Sequence, residues 1–295
     1  MKKNLFEPKV VQFFHSGSEF PQKKIDETHK HKPWSVNSHT RNFIKCKGEY
    51  VDKSGRKKQG TLVFWGEWEA EADVVEFYES AGLLPKRLIS PTHKQKYPSG
   101  YSSCVNKTGC GKKEIPLNTD PFVFGECFRY SNCQQLSRKN VLQKISPNSI
   151  ILFGSHKGNV FLLDTVFVVD DNSIRFSKKE ALKSIRDFNA YKKIVLDYTL
   201  PLDNPGASLV YYEGKTYQKK GMFSFSPAKI YGPGCRFERI ALDEKMMKMI
   251  VGKAVNMKKT QGIRTIDADV EKTWKLIKDF VLEKGCVLGV RFDLP

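Results

Sequence analysis

The pattern of hydrophobic and polar positions predicts two β-hairpins in the first 170 residues. The earlier one pairs residues 43–51 with residues 60–68, which are rich in β-branched and aromatic side chains. A Lys-rich loop separates the two runs, and Ser54-Gly55 within it supplies a turn. We therefore expect an exposed basic loop at the tip of this hairpin.

The later hairpin pairs residues 149–154 with residues 160–169. Both runs are continuously apolar, whereas a strand with one solvated face alternates apolar and polar residues. This hairpin is predicted to lie in a sheet that is covered on both faces, or inside a small barrel.

Other segments show helical spacing or short strand-like runs. Apolar residues recur three or four positions apart in four segments, and Ser177 with Glu180 forms a capping box before one of them. The predicted helices are 72–84, 177–191, 242–257 and 269–283. The remaining predicted strands are 194–200, 208–218 and 286–292.

Strands and helices mix without a strict βαβ alternation, which favours the α+β class. The expected architecture is a mixed or barrel-like central β-sheet with helices packed around it. A polar turn and a rise in positive charge near residue 170 suggest a β-rich half, 1–170, that carries the candidate site and an α+β half, 171–295. The two halves can equally pack as one continuous domain.

The net charge of the chain indicates the chemical class of its partner. The formal net charge is +18 and the isoelectric point is about 9.5. The excess of Lys and Arg lies in residues 1–60 and 171–295, whereas the segment between them is nearly neutral. Such a distribution is typical of proteins that hold a polyanion, so nucleic acid or a phosphorylated nucleotide is the expected partner.

Composition also bears on location. No run of residues approaches the roughly 20 apolar positions that a membrane helix needs, so no membrane association is predicted. The seven cysteines are an odd number in a chain large enough to fold without disulfides, which favours a reducing compartment. We expect a cytoplasmic protein.

The nearly neutral centre holds the first candidate site. In a strand that contains Trp65, Gly66, Glu67, Trp68 and Glu69, alternation places Trp65 with both glutamates on one face and Trp68 on the other. Two carboxylates beside an aromatic ring can bind a divalent cation, exchange protons, or hydrogen-bond a base that stacks on a tryptophan. The alternative is an edge strand with solvated glutamates and core tryptophans.

Asp120 is the second candidate, because it follows Asn118-Thr119 and precedes Pro121. A carboxylate at the entrance of a strand can act in catalysis or bind a metal ion. Side-chain turn chemistry explains the same residues equally well.

The third candidate is a set of cysteines. Cys104, Cys110, Cys127 and Cys133 have the symmetric spacing C-x5-C-x16-C-x5-C, and four thiolates complete a tetrahedral zinc shell. The close pairs are wider than usual for zinc, and ordinary buried thiols are the alternative.

Further polar residues complete the candidate set. Lys112 and Lys113 follow glycines in a loop that can cradle a phosphate, although Walker spacing is lacking. His15 and His39 lie among polar turn residues, where an imidazole is available for proton transfer, and Arg41 can stabilise negative charge.

Together these residues predict a protein that acts on nucleic acid or a nucleotide. In the enzymatic version, Glu67, Glu69 and Asp120 supply acid/base or metal-binding groups, with His15 or His39 moving protons. The alternatives are a non-catalytic reader of a single-stranded, flipped or modified base, and a basic protein-interaction module. The sequence identifies no cofactor, and a divalent metal and a structural zinc are the two that it allows.

Overall fold

The computed structural model describes residues 7–14, 31–32, 41–78, 86–92, 119–135, 141–157, 160–197, 208–251 and 262–295. These residues form a mixed α and β fold that consists mostly of strands in two mixed sheets, in agreement with the predicted α+β class. The strands are β1 (Val10–Phe14), β2 (His31–Lys32), β3 (Arg41–Val51), β4 (Lys57–Glu67), β5 (Ala72–Tyr78), β6 (Lys86–Pro91), β7 (Arg129–Tyr130), β8 (Ile150–Lys157), β9 (Val160–Phe176), β10 (Leu209–Gly214), β11 (Ser226–Ile230), β12 (Ile240–Leu242), β13 (Gly262–Ile266) and β14 (Val287–Phe292).

Helices contribute much less of the described fold. The single turn α1 (Phe188–Tyr191) continues into a π-helical segment, Lys192–Leu196. The two longer helices are α2 (Glu244–Val251) and α3 (Val270–Glu283). The described residues do not confirm the prediction that helices pack around the sheets.

The first sheet has the strand order β13-β1-β8-β9-β10-β7, and β12 also pairs with β9. Strands β1 and β8 are parallel, and the other pairs are antiparallel. Strand β9 is the longest at 17 residues, so its first half pairs with β8 and its second half with β10. Strand β9 therefore links the two parts of this sheet.

The second sheet has the order β14-β11-β4-β3-β6-β5-β2, and β14 also pairs with β3. Strands β3, β4, β11 and β14 therefore form a closed circuit of pairings. Gly48 lies where β14 approaches β3, and a Cβ atom at this position would collide with the carbonyl oxygen of Arg291. The close approach that completes the circuit thus requires glycine.

The β8–β9 hairpin is buried on both faces, as its continuous apolar runs predict. Alternate residues of β9 belong to two different hydrophobic clusters: Phe167 and Val169 to one, and Val166 and Val168 to the other. Trp274 of α3 packs in the second cluster. The sheets are also joined directly, because Val166 of β9 forms a bridge with Phe225, just before β11.

Both predicted hairpins are confirmed. Strands β3 and β4 pair without a bulge from Arg41–Glu67 to Val51–Lys57, and the Asp52 side chain accepts hydrogen bonds from the backbone N–H groups of Ser54 and Arg56 in the loop. Strands β8 and β9 form the second hairpin. Strand β10 confirms residues 209–214 of the predicted strand 208–218, and the described residues after it are irregular. Helix α2 confirms residues 244–251 of the predicted helix 242–257, although Leu242 itself lies in β12, and the predictions for α3 and β14 are confirmed.

The predicted helix at 72–84 is wrong where the chain is described. Residues Ala72–Tyr78 form β5, which pairs with β6. The segment is rich in β-branched and aromatic residues, which favour a strand: Val74, Val75, Phe77 and Tyr78. Its apolar spacing is compatible with both a helix and a strand, and the pairing with β6 selects the strand.

The segments predicted as a helix at 177–191 and a strand at 194–200 also differ. Residues Lys179–Leu182 form a 3-10 turn with no side-chain cap, and residues 194–196 are π-helical. Asp187 interrupts the helix in a left-handed conformation with φ 52°. Its carboxylate accepts hydrogen bonds from Glu126 N and from the buried Arg129, so a tertiary contact overrides the local capping signal.

The predicted division of the chain at residue 170 falls inside strand β9, which runs through this position without interruption. Both sheets contain strands from before and after it. Among the described residues, no helix is both long enough and apolar enough to cross a membrane.

The closed circuit yields a stability prediction with an internal control. We expect Gly48→Ala to destabilise the protein by about 1 to 3 kcal/mol, because the added methyl group meets backbone that cannot move away. Gly60, the ladder partner of Gly48, has only the Tyr50 ring edge at 3.4 Å from the position of an added Cβ. Gly60→Ala should be neutral or stabilising by up to about 1 kcal/mol. Urea unfolding of both variants measures the difference, and equal stabilities would show that the circuit is loosely packed.

Candidate functional site

A buried group of charged side chains lies where the two sheets meet. Asp164, on β9 of the first sheet, contacts two arginines: its Oδ2 is 2.9 Å from Nη1 of Arg41, on β3 of the second sheet, and its Oδ1 is 2.7 Å from Nη2 of Arg239, just before β12. All three side chains are at most 5% exposed. Glu67 lies opposite Arg41 in the β3–β4 ladder and is also buried. We call Arg41, Glu67, Asp164 and Arg239 the inter-sheet cluster.

Neighbouring residues hold the Arg239 guanidinium in place. Its Nη2 donates a second hydrogen bond to Ser155 Oγ at 2.7 Å, and its plane lies over the Trp65 ring with 4.7 Å between guanidinium carbon and ring centroid. Phe43 contacts the same indole edge-on, with the ring centroids 4.7 Å apart. Arg239 is therefore fixed on a carboxylate, a hydroxyl and an aromatic face.

Arg41 is less completely satisfied. Its Nε and Nη1 are buried and find no hydrogen-bond partner among the described residues, although Nη1 lies within ion-pair distance of Asp164. A buried N–H group without a partner costs about 1 to 3 kcal/mol. The cluster therefore offers donor capacity that the described protein groups do not use.

Strand placement explains why these residues meet. Arg41 begins β3 and Glu67 ends β4, so both lie at the same end of the first hairpin. Asp164 lies at an irregularity of the β8–β9 ladder, between Leu163 and Thr165. A residue at a bulge is freed from regular pairing and can direct its side chain towards another element.

The predicted tryptophans are placed differently from a base-stacking site. Trp68 is completely buried, donates its Nε1 hydrogen to the Glu71 carbonyl oxygen, and packs edge-on against Phe124. Trp65 is 5% exposed and is covered by Arg239. The two rings belong to different hydrophobic clusters, as alternation predicts, and both are buried in the described structure, so neither ring is exposed there for stacking.

The predicted glutamates are not solvated. Glu67 and Glu69 are 6% and 2% exposed, and β4 lies between β3 and β11, so the alternative of an edge strand with outward glutamates is wrong. The backbone N–H of Glu69 faces Thr119 Oγ1 at 3.4 Å, next to Asp120 in sequence. Glu69 therefore lies near the Asp120 segment, whereas Glu67 lies with Arg41.

Asp120 belongs to a separate buried group. Its Oδ2 accepts hydrogen bonds from the backbone N–H groups of Asn132, at 3.0 Å, and Cys133, at 2.8 Å. The carboxylate thus ties the start of segment 119–135 to its end, a longer-range contact than the predicted local turn. Burial raises the pKa of Tyr130 and Tyr191 well above the ordinary value, and the charge of Asp120 raises both further.

The predicted zinc ligands are only partly described. Cys104 and Cys110 lie outside the described residues, while Cys127 and Cys133 form no disulfide with any described cysteine. Burial raises the pKa of Cys127 to about 11, which disfavours a thiolate in the metal-free protein. No group of three or more metal-binding side chains occurs within the ranges that the structure describes.

His15, His39, Lys112 and Lys113 also lie outside the described residues. Asp164, Arg239 and Ser155 were absent from the predicted set. A signal for Asp164 exists in the sequence, because it is the one charged residue in the apolar run 160–169. A charged residue in such a run has to be paired, and this marks it as a candidate. Arg239 lies in an irregular segment and carries no comparable signal.

A cleft of about 800 Å³ borders the cluster. Arg239 lines it together with Met246 of α2 and Phe280 of α3, and charged side chains of both signs surround these residues. The cleft is large enough for a small-molecule ligand.

Comparison of the chain with protein-family models, with curated proteins and with solved structures finds no match.

The inter-sheet cluster predicts an unequal response to two chemically matched substitutions. Asp164→Asn removes the carboxylate that both buried guanidiniums contact and should lower the free energy of unfolding by about 3 to 5 kcal/mol. Asp197 also contacts two cations, Lys179 and Lys192, but its side chain is 26% exposed. Asp197→Asn should cost at most about 1 kcal/mol. Urea denaturation compares the two, and similar losses would contradict the buried character of the cluster.

The buried thiols and phenols predict a loss of stability at alkaline pH. The pKa of Cys127 rises from 9.0 to about 11 and that of Cys46 to about 12, in both cases mainly through burial. The unfolded chain releases these protons at lower pH than the folded chain does, so the stability present at pH 8 should fall as pH rises above about 9.

Cys127→Ala isolates one contribution to this loss. Because the unfolded thiol is half ionised at pH 9 and each group contributes at most about 1.4 kcal/mol per pH unit, the variant should lose about 1.5 kcal/mol less than the parent protein between pH 9 and 10.5. Urea titrations at pH 8, 9 and 10.5 measure this. An identical pH dependence in the two proteins would show that Cys127 does not titrate differently in the folded state.

Proposed function

We propose that this protein binds nucleic acid, or a phosphorylated nucleotide, through a basic surface formed by two loops. The supporting observation is a contact between the tip of the β3–β4 hairpin and the segment after β10. Tyr217 OH donates a hydrogen bond to the Gly55 carbonyl oxygen at 3.0 Å. This bond joins the exposed loop 52–58 to segment 215–220, and both are rich in Lys and Arg.

Several cations on this surface are not neutralised by the carboxylates nearest to them in the loop. Lys57 and Lys58 are paired with Glu49 and Asp52, each at 2.8 Å, and these contacts lower the pKa of both carboxyl groups. The exposed residues Lys53, Arg56, Lys219 and Lys220 have no carboxylate ion pair among the described residues. We call these four residues the basic patch.

Such a patch suits a phosphate backbone. Lys and Arg that neutralise phosphates release condensed counterions, which produces affinity with little sequence preference and a steep dependence on salt. The net charge of +18 adds long-range attraction of a polyanion to the same surface. A cytoplasmic location, in which such partners are available, stays a prediction from the cysteine content.

The inter-sheet cluster favours the enzymatic version of this proposal, in which the protein converts the nucleic acid or nucleotide that it binds. A buried carboxylate, Glu67, lies opposite an arginine with unused donors, which combines a proton-transfer group with a group that stabilises negative charge. Asp120 is engaged by two backbone N–H groups and serves less readily as a base. A divalent metal at the predicted carboxylates, and a role for His15 or His39, stay predictions.

Binding is tested with a fluorescent single-stranded oligonucleotide over a range of salt concentrations. We expect the slope of log K against log salt to be about −3 for four neutralised phosphates on single-stranded DNA. Replacing all four basic-patch residues with alanine should remove most of this slope. A matched control replaces four other exposed lysines with alanine, Lys178, Lys183, Lys245 and Lys248, and should retain it.

The same assay separates the alternatives. Equal weakening by both quadruple variants would show that net charge, and not this patch, holds the polyanion. If the oligonucleotide shows no salt-dependent binding, the remaining alternative is a basic protein-interaction module. If the oligonucleotide is also converted in the presence of Mg²⁺, Glu67→Gln should abolish conversion while binding is retained. Binding without conversion would favour the non-catalytic reader.

A further inference from the structure

A groove of about 350 Å³ lies where the end of β14 passes beside the β3–β4 hairpin. Polar and charged side chains of these three segments line it: Lys47, Glu49, Gln59, Thr61, Arg291 and Asp293. We call these six residues the strand groove. Each of them is exposed or half-buried, so the groove is open to solvent.

The carboxylates of the strand groove are already engaged by cations. Glu49 contacts Lys57 at 2.8 Å and Arg291 at 3.1 Å. The hydrogen bond from Lys57 is the main cause that lowers the pKa of Glu49. Arg291 also contacts Asp293 at 3.3 Å. Two carboxylates are therefore balanced by two cations within this network.

Two further lysines on the same face of β3 have no such balance. Lys45 and Lys47 share this face because alternate residues of a strand point to the same side. Neither forms an ion pair with a carboxylate among the described residues. Lys45 Nζ lies 3.6 Å from the centroid of the Tyr231 ring, and the Tyr231 backbone N–H donates to the Thr61 carbonyl oxygen at 2.8 Å. The face thus presents two positive charges, one of them held on an aromatic ring.

The strand groove is continuous with the basic patch. Lys57 belongs to the loop 52–58, and its ion-pair partner Glu49 lines the groove. Val51 and Lys57 are the last ladder pair before the loop. Lys47 lies four residues from Val51 along β3, which corresponds to about 14 Å. The basic patch and the two lysines therefore follow one another along the same hairpin.

We propose that the strand groove extends the binding surface of the basic patch and holds two further phosphates of a single-stranded nucleic acid, at Lys47 and Lys45. The two lysines are about 7 Å apart along the strand, close to the distance between successive phosphates of an extended single strand. A single row of cations in a groove follows one backbone, as in proteins that bind single strands. The Thr61 hydroxyl and the Gln59 amide supply hydrogen-bonding groups for the sugar or base between these phosphates.

This inference rests on the proposed function, because the same nucleic acid occupies the basic patch and the strand groove. It adds two properties, a preference for single strands and a minimum length. A short oligonucleotide covers the basic patch alone, whereas a longer one reaches the groove as well.

The experiment is a salt titration with labelled single-stranded DNA of about 5 and about 12 nucleotides. Four phosphates at the basic patch give a slope of log K against log salt of about −3, and two more at the strand groove make it about −4. We expect the steeper slope only for the longer oligonucleotide. An unlabelled duplex of the same length should displace this oligonucleotide less effectively than the unlabelled single strand does.

A pair of double variants tests the two lysines directly. Lys45→Gln with Lys47→Gln removes both charges and keeps long polar side chains. This variant should bind the longer oligonucleotide about 25-fold more weakly at 0.1 M salt, with a slope of about −3, and bind the shorter one like the parent protein. Lys45→Arg with Lys47→Arg keeps the charges and should bind both like the parent. The matched control, Lys178→Gln with Lys183→Gln, changes two other exposed lysines and should also leave both affinities unchanged.

The outcomes separate the strand groove from the proposed function. If both oligonucleotides give the same slope, or if the Lys→Gln variant of the groove binds the longer one like the parent, the strand groove is wrong while the basic patch stands. Equal weakening of both oligonucleotides by that variant would also contradict the groove. Equal displacement by the duplex would contradict the preference for single strands. If neither oligonucleotide binds in a salt-dependent manner, the proposed function itself is wrong.

Discussion

The ion pairs of Asp164 are the interaction on which the arrangement of the two sheets depends. Its carboxylate holds Arg41 of the second sheet and Arg239 of the first sheet's periphery at the same time, with all three side chains almost completely buried. Buried charges are tolerated only when they are paired in good geometry, so the position of one sheet relative to the other is fixed at this point. The bridge between Val166 and Phe225 lies two residues further along β9 and fixes it again.

This constraint also separates the two electrostatic environments of the molecule. At the junction of the sheets, the two arginines and two carboxylates of the inter-sheet cluster lie together in an apolar core. At the tip of the β3–β4 hairpin, the lysines are exposed and only partly neutralised by Glu49 and Asp52. The same strand pair carries both environments, because β3 and β4 extend from the buried Arg41 and Glu67 to the exposed loop.

Part of this arrangement could be predicted from the sequence. The alternation around Trp65 correctly places Trp65 and Trp68 on opposite faces, and Arg41 and Glu67 were both candidate residues. Their partners could not be found in this way, because Asp164 lies almost a hundred residues further along the chain and Arg239 later still. The helix predicted at 72–84 is wrong for a related reason. The apolar residues of this segment have helical spacing, but the pairing with β6 makes it a strand.

The sequence by itself determined the elements whose signals are local: the two hairpins, helix α3 with Asp269 at its N-terminus, the terminal strand β14 and the excess of positive charge. Only the tertiary structure decided which charged residues are buried and what they contact. A hydrophobic or turn pattern reports which side of an element faces the core, and so it fixes the element. It carries no information about which distant side chain lies across that core, and the pairing of Arg41, Asp164 and Arg239 is set by the packing of one sheet on the other.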